Sequence, residues 1–196
     1  MLRLEKKLYK KGFKHIAGLD EAGRGPLAGP VVAAIVIINP LIKLKDFRGV
    51  KDSKELSVKK REYFFNLIIN NPYIDYKITK VSEKIIDKIN ILQATKKAME
   101  RLIKKLNPDF LIIDGNFKLK TNILQKSVIR GDKKILSCTL ASVLAKVYRD
   151  KLMEKYDKEY PLYKFSKHKG YPTKEHYSLI KKYGVCKIHR KSFLRT

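Results

Sequence analysis

Apolar positions fall along this chain in two rhythms, compact β-branched runs near the N-terminus and helical repeats beyond residue 57. Residues 16–20 and Val31 to Ile38 read as strands joined by a glycine-rich turn, because β-branched and small apolar side chains suit a buried sheet. Tyr73 to Val81 alternates well enough to be a third strand, and three strands in succession predict an antiparallel meander. Ser57 is placed to cap a helix running through Asn70, with Tyr63, Phe64, Leu67 and Ile68 on one face and Asn70-Asn71-Pro72 as its stop. From Ser82 to Leu106 the positions Ile85, Ile86, Ile89, Leu92, Met99, Leu102, Ile103 and Leu106 recur at helical spacing. This predicts two helices in succession, ended by Asn107-Pro108. Phe110 to Ile113 has the pattern of a buried strand that empties into Asp114-Gly115-Asn116, and Val128-Ile129 predicts another short strand leading to Arg130-Gly131-Asp132. A long helix follows from about Leu136 to Tyr156, and Thr173 caps a further one through Lys182 before Gly184. Strands first, then helix alternating with strand, predict an α/β fold with a mixed sheet covered by helices.

Length and composition narrow the classes of function. At 196 residues, with 44% hydrophobic and 33% charged residues, the chain is expected to fold as one compact unit rather than to be disordered. The interruption at His168-Lys169-Gly170-Tyr171-Pro172 sets apart a small helical appendage, giving a main domain over 1–160 and a C-terminal segment over 161–196. Lys and Arg number 45 against 19 Asp and Glu, and the net charge of +26 favours a polyanionic partner, nucleic acid first. A lysine-rich composition inherited from an AT-biased genome or a hot habitat explains part of that excess. No segment is long and uncharged enough to span a bilayer, and Met1 to Lys14 lacks a signal-type apolar core, so the expectation is no membrane partner and a cytoplasmic location. Cys138 and Cys186 have no metal-type spacing and are expected to be reduced thiols.

The candidate chemistry lies where apolar runs end in acids, at Asp20-Glu21, at Asp114 and at Asp132. If the strands carrying the first two are parallel neighbours, these carboxylates meet at one sheet edge, and Asp132 joins them from the next helix. Their repulsion makes sense when divalent cations neutralise it, and hard oxygen donors select Mg²⁺ or Mn²⁺ over zinc. In a basic protein such a cluster favours two-metal phosphodiester hydrolysis. Beside it, the glycines of Gly23-Arg24-Gly25 let a ligand backbone come close. Two other readings exist. A non-enzymatic RNA-binding protein would use the charge alone, but it leaves the clustered acids unexplained. A metal-independent ribonuclease would draw on His15, His168, His176 or His189 for acid–base work.

The segments Asp20 to Gly25, Asp52-Ser53-Lys54, Asp114-Gly115-Asn116, Gly131-Asp132, Ala141 to Asp150 and His168 to Thr173 stand in the order found in ribonuclease HII, and the resemblance spans nearly the whole chain. It implies a ribonuclease H-like fold with a five-stranded mixed sheet, strands 1-2-3 antiparallel and 4-5 parallel, and a C-terminal segment that contributes to substrate binding. The ribonuclease HIII relative adds an N-terminal substrate-binding domain, which a chain of this length is expected to lack. The implied activity is hydrolysis of the RNA strand of RNA/DNA hybrids and nicking of duplex DNA 5′ of an embedded ribonucleotide, leaving 3′-hydroxyl and 5′-phosphate ends. Asp20, Glu21, Asp114 and Asp132 match the catalytic carboxylates holding two Mg²⁺ or Mn²⁺ ions, and Gly23, Arg24 and Gly25 match the loop that senses the ribose 2′-hydroxyl. Tyr171 matches the tyrosine stacked on the next deoxyribose. Ser53, Lys54, Asn116, Ser142 and Lys146 are the remaining substrate contacts by the same match, and Arg190, Ser192 and Phe193 resemble the family's C-terminal motif. Leu140 and Tyr148 depart from the usual pattern, where a smaller residue and a threonine are common. A sliding clamp is a candidate partner, and a monomer is expected.

Overall fold

A computed structural model describes residues 3–194 of the protein. Five strands, β1 (Ile16–Ala22), β2 (Val31–Ile38), β3 (Ile74–Val81), β4 (Phe110–Asp114) and β5 (Leu124–Val128), form one sheet in the order β3-β2-β1-β4-β5. The β1–β2 and β2–β3 pairs are antiparallel, whereas β1–β4 and β4–β5 are parallel. This is the mixed sheet expected from the sequence, with the meander on one side of β1 and the crossover strands on the other.

Both faces of the sheet are covered, which explains why β2 is apolar and buried at every position. On one face Val32, Ala34, Val36 and Ile38 pack with Phe64 and Ile68 of α2 (Val58–Ile69) and with Leu140 and Leu144 of α5 (Leu136–Glu159). On the other, Val31, Ala33, Ile35 and Ile37 meet Ala94, Ala98, Met99 and Leu102 of α3 (Glu83–Leu106). The Ser57 hydroxyl accepts the Lys60 N–H and caps α2. Tyr63, expected on its buried face, is instead exposed, with Phe64 and Ile68 taking the core positions. The two helices expected between 82 and 106 are the arms of α3, which breaks at Asn90 with φ 63° and ψ 167°. The Asn90 side chain then accepts the Gln93 N–H at 3.0 Å and so caps the second arm.

Helix α5 is the central packing element. Every residue from Leu136 to Ala145 is buried, as a helix pressed against a sheet and flanked by other helices requires. It can approach β1 closely because residue 18 is glycine: a Cβ there would lie 2.4 Å from the Ser137 carbonyl carbon. Glu5 of α1 (Arg3–Lys10) accepts the Ser137 N–H at 3.2 Å and its hydroxyl at 3.1 Å, anchoring the start of α5. Helix α1 was not expected from the sequence, because its Leu4 and Leu8 are embedded in lysines. The last strand was expected at Val128-Ile129, but β5 ends at Val128 and begins at Leu124, and Ile129 is exposed. As an edge strand with one neighbour, β5 tolerates Gln125 and Lys126 and carries no apolar run.

Beyond α5, the short α6 (Phe165–His168) and α7 (Lys174–Tyr183) gather around Tyr163, Phe165 and Ile188, which pack on Met153 and Ala28. This satellite cluster is joined to the β1–β2 turn by the Ala28–His189 bridge and by the Leu27 N–H donated to Gly170.

Candidate metal and nucleic-acid site

The register of the parallel β1–β4 pair sets Ile16 beside Phe110 and Leu19 beside Ile113, and one step further it sets Asp20 beside Asp114. Because strand side chains alternate between faces, Asp114 emerges on the same face as Ile112, towards α1 and α5. Asp132 arrives from α4 (Gly131–Lys134), whose Gly131 N–H donates to Asp114 Oδ1 at 2.7 Å. Oxygen atoms of Asp20, Asp114 and Asp132 consequently lie within 4.8 Å of one another. They open into a cavity of about 400 Å³ that Gly23, Arg24, Gly25, Ser53, Lys54, Ser142, Lys146 and Tyr171 also line.

Burial, and after it the crowding of negative charge, raises the proton affinity of Asp20, Glu21 and Asp132. Burial, then the charges of Glu21 and Asp114, pushes Asp20 well above the ordinary aspartate range, although the Ser142 hydroxyl and the Glu21 N–H hold it down in part. Burial and repulsion from Asp114 and Asp52 push Asp132 up to about 6. Glu21 is raised to about 7, burial outweighing the nearby Arg24 and Lys54. One step along the strand from Asp20, Glu21 starts on the opposite face and turns to the rim, where it meets Arg24 at 3.4 Å. Its other oxygen is buried with no hydrogen-bond partner among the described residues. An all-carboxylate donor set, proton affinity raised by burial and then by mutual repulsion, and an orphaned buried oxygen together suit a site for hard divalent cations.

The cationic wall is partly engaged within the protein. Ser53 and Ser142 share a hydrogen bond of 2.9 Å across the cleft, which brings the Asp52-Ser53-Lys54 turn against α5. Lys146 pairs with Asp150 at 2.8 Å and also lies 5.6 Å from the Tyr171 ring centre. Asn116, named with the other substrate contacts, is exposed beyond the Gly115 turn and does not line the cavity. Leu140 is a core residue and Tyr148 a surface one, and neither lines it either.

Two arginines hold the glycine loop from beneath: Arg149, which lies in the matched segment Ala141 to Asp150 but has no role assigned from the sequence, and Arg190 of the C-terminal motif. Arg149 donates to Pro30, Lys169 and Ala28 carbonyls at 3.1, 3.0 and 3.0 Å, and its guanidinium lies 5.8 Å from the Tyr171 ring centre. Gly23, at φ +95°, has no space for a side chain, since a Cβ would fall 2.1 Å from Arg149 Nε. Arg190 donates to the carbonyls of Gly29, Arg24 and Gly23. Their charge alone could not have marked them, because they are two among 45 basic residues.

Comparison with known proteins decides the family. The family described as Ribonuclease HII matches residues 17–196. The chain belongs to the ribonuclease HII family. A ribonuclease HII from Endomicrobium trichonymphae is 51% identical over 192 residues, covering 96% of this chain and 90% of that protein. The ribonuclease H2 structure from Pyrococcus horikoshii OT3 is similar with a TM-score of 0.69 at 29% identity, covering 90% of this chain and 92% of the other. The ribonuclease HII of Archaeoglobus fulgidus, solved as a PCNA complex, has a TM-score of 0.78 at 24% identity, covering 93% of this chain and 96% of that one. Ribonuclease HII proteins are ribonuclease H endonucleases, and the acidic cleft is the place in this chain suited to that chemistry.

In this ribonuclease HII family member the histidines lie elsewhere. His176 and His189 pair through their Nε2 atoms at 3.1 Å inside the satellite cluster, and burial lowers both to about 4. Neither they nor His15 and His168 line the acidic cavity, so the structure offers no histidine pair there for acid–base catalysis. Asp52 is a further acid that sequence reasoning left without a role. It is buried, accepts the Lys54 N–H at 3.0 Å and bears on Asp132.

Proposed function

We propose that the protein is a metal-dependent endonuclease that cuts the RNA strand of RNA/DNA hybrids and nicks DNA duplexes 5′ of an embedded ribonucleotide, leaving 3′-hydroxyl and 5′-phosphate ends. The observation that carries this reading is the meeting of Asp20, Asp114 and Asp132 within 4.8 Å, in a cleft whose other wall holds Arg24, Lys54 and Lys146. Acids on a phosphate-binding face oppose binding unless cations stand between them and the substrate. Asp20, Asp114 and Asp132, with Glu21 at the rim, would hold two Mg²⁺ or Mn²⁺ ions. Such ions, when bound, supply activated water and Lewis-acid stabilisation of the departing oxygen.

The chain's own residues do the rest. Gly23, Arg24 and Gly25 present backbone to the ribose at a point where a side chain on residue 25 would enter open space. The Tyr171 ring, backed by Lys146 and Arg149, offers a platform for the following deoxyribose, where a second 2′-hydroxyl would have no room. Ser53, Lys54, Ser142 and Lys146 orient the flanking phosphates, and Asn116 contacts substrate only if the bound duplex extends past the cavity. The resulting activity suits ribonucleotide excision and removal of RNA primers during replication. The PCNA complex of the Archaeoglobus fulgidus protein supports a sliding clamp as a partner.

Incubation of a duplex carrying one ribonucleotide, with and without Mg²⁺, tests the reading. Nicking only with the metal, with a 5′-phosphate at the new end, is expected. Binding without metal-dependent nicking would favour a non-enzymatic RNA-binding protein, and a cyclic phosphate product would favour attack by the ribose 2′-hydroxyl.

A further inference from the structure

Arg190 is fully buried, yet none of its hydrogen bonds goes to a carboxylate. Its Nε donates to Gly29 O at 2.9 Å, one terminal nitrogen to Arg24 O at 3.0 Å and the other to Gly23 O at 2.6 Å. Burying a guanidinium against neutral partners alone is costly, so a cheaper residue would serve if filling space were the only need. Burial and the neighbouring Arg149 push it down to about 9, which leaves it protonated at neutral pH.

Those bonds aim the loop. A trans peptide is planar, so its N–H points opposite to its C=O. With the Gly23 and Arg24 carbonyls turned inward to Arg190, the N–H groups of Arg24 and Gly25 must turn outward, to the side where these residues line the acidic cavity. Neither N–H donates to a protein group among the described residues. We propose that Arg190 is a positioning residue that sets the two peptide planes of the Gly23-Arg24-Gly25 loop, so that the Arg24 and Gly25 N–H groups present a paired donor to an oxygen of the ribonucleotide. The inference rests on the endonuclease reading for the identity of that oxygen, but not for the orientation of the peptides.

Arg190 is itself held from outside. Asp87 accepts the Lys191 and Ser192 N–H groups at 2.9 and 3.0 Å and the Ser192 hydroxyl at 2.6 Å, fixing the turn that follows Arg190. The Phe193 ring centre lies 5.1 Å from the guanidinium carbon. The residues of the C-terminal motif thus act together to seat one side chain.

The test is Arg190→Lys in the full chain, since one ammonium cannot span three carbonyls. Amide signals of Arg24 and Gly25 are followed by NMR in the ligand-free protein, and binding is measured for matched duplexes with and without a single ribonucleotide, in an Asp114→Asn background that limits cutting. The expected result is displacement of both amide signals and at least about a fivefold loss of the ribonucleotide-over-deoxynucleotide binding ratio, with a smaller change in binding to the all-DNA duplex. Methylguanidinium added to Arg190→Ala is expected to restore part of the ratio, which a space-filling role would not allow. Folded Arg190→Lys with both signals unmoved and the ratio intact would overturn the proposal. Should Arg190→Lys not fold, Asp87→Asn loosens the same turn at the surface, and an unchanged ratio there would overturn it equally. If the wild-type protein fails to cut any ribonucleotide-containing duplex, the endonuclease reading falls while displaced amide signals still support Arg190 as the residue that orients the loop.

Discussion

Asp114 has an oxygen within 4.8 Å of both other clustered aspartates and also orders the start of α4 through the Gly131 N–H, so two functions meet in one side chain. Asp114→Asn keeps an acceptor for that N–H but loses the charge that a cation needs. The fold is expected to survive, as judged by circular dichroism, while cleavage of a ribonucleotide-containing duplex falls by about 10²–10³-fold, the scale of several kcal/mol of lost charge stabilisation. Asp132 reports its burial, and after it the repulsion from Asp114 and Asp52, through stability. Its folded-state value of about 6 against an ordinary 3.8 means that the native state favours the protonated form. Stability from this group is therefore complete below 3.8 and is lost as the pH rises through 6. In metal-free protein, Asp132→Asn should gain on the wild type between pH 4 and 8 by on the order of 1 kcal/mol after allowance for solvent screening. Urea unfolding at the two pH values measures the gain, and the buried histidines cancel because both proteins share them. Tyr171→Ala is expected to lower the preference for an RNA-to-DNA junction over an all-RNA strand more than it lowers hybrid binding, as competition cleavage would show. At this scale the acids were legible because each ends an apolar run. A role for Asp52 was not, because Asp52-Ser53-Lys54 looks like a polar turn, and what draws that turn against α5 is the distant Ser53–Ser142 hydrogen bond.

Among the elements, the sequence was most readable where one partner decides the pattern. The fully buried β2 and the capped α2 announce themselves, since a sheet covered on both faces and a serine before a helix leave local signatures. Helix α1 escaped and strand β5 was placed too far along the chain, because what stabilises them is distant: Glu5 reaching Ser137, and a single parallel neighbour at the sheet edge. Asn90 shows how an irregularity is tied to the fold. Its backbone lies in a region where glycine is at ease and other residues are strained, while its side chain caps the second arm of α3. Asn90→Ala should lose the cap and keep the strain, at a cost of about 1–2 kcal/mol, whereas Asn90→Gly exchanges the cap for relief and should cost less. Thermal unfolding of the two variants orders them, and equal losses would mean that the cap contributes nothing.

For the molecule as a whole, the open issue is how much of the +26 charge serves the substrate. Arg24, Lys54 and Lys146 line the acidic cavity, and two of the three are already paired, Arg24 with Glu21 and Lys146 with Asp150. If those three cations alone replaced counterions on the duplex, the logarithm of the binding constant would fall with the logarithm of salt concentration at a slope of about −3. Lysines elsewhere on the surface would steepen it only if the duplex lies against them. A basic composition inherited from genome or habitat would leave the slope near the cavity's own value, because distant charges are screened within about 10 Å at 0.1 M salt. We expect a steeper slope, near −5, because a duplex long enough to place a ribose at Gly23 to Gly25 must also run beyond the cavity over lysine-rich surface. Titration of Asp114→Asn with a ribonucleotide-containing duplex from 50 to 300 mM potassium chloride gives the number directly. A slope no steeper than −3 would assign most of the excess charge to composition rather than to recognition.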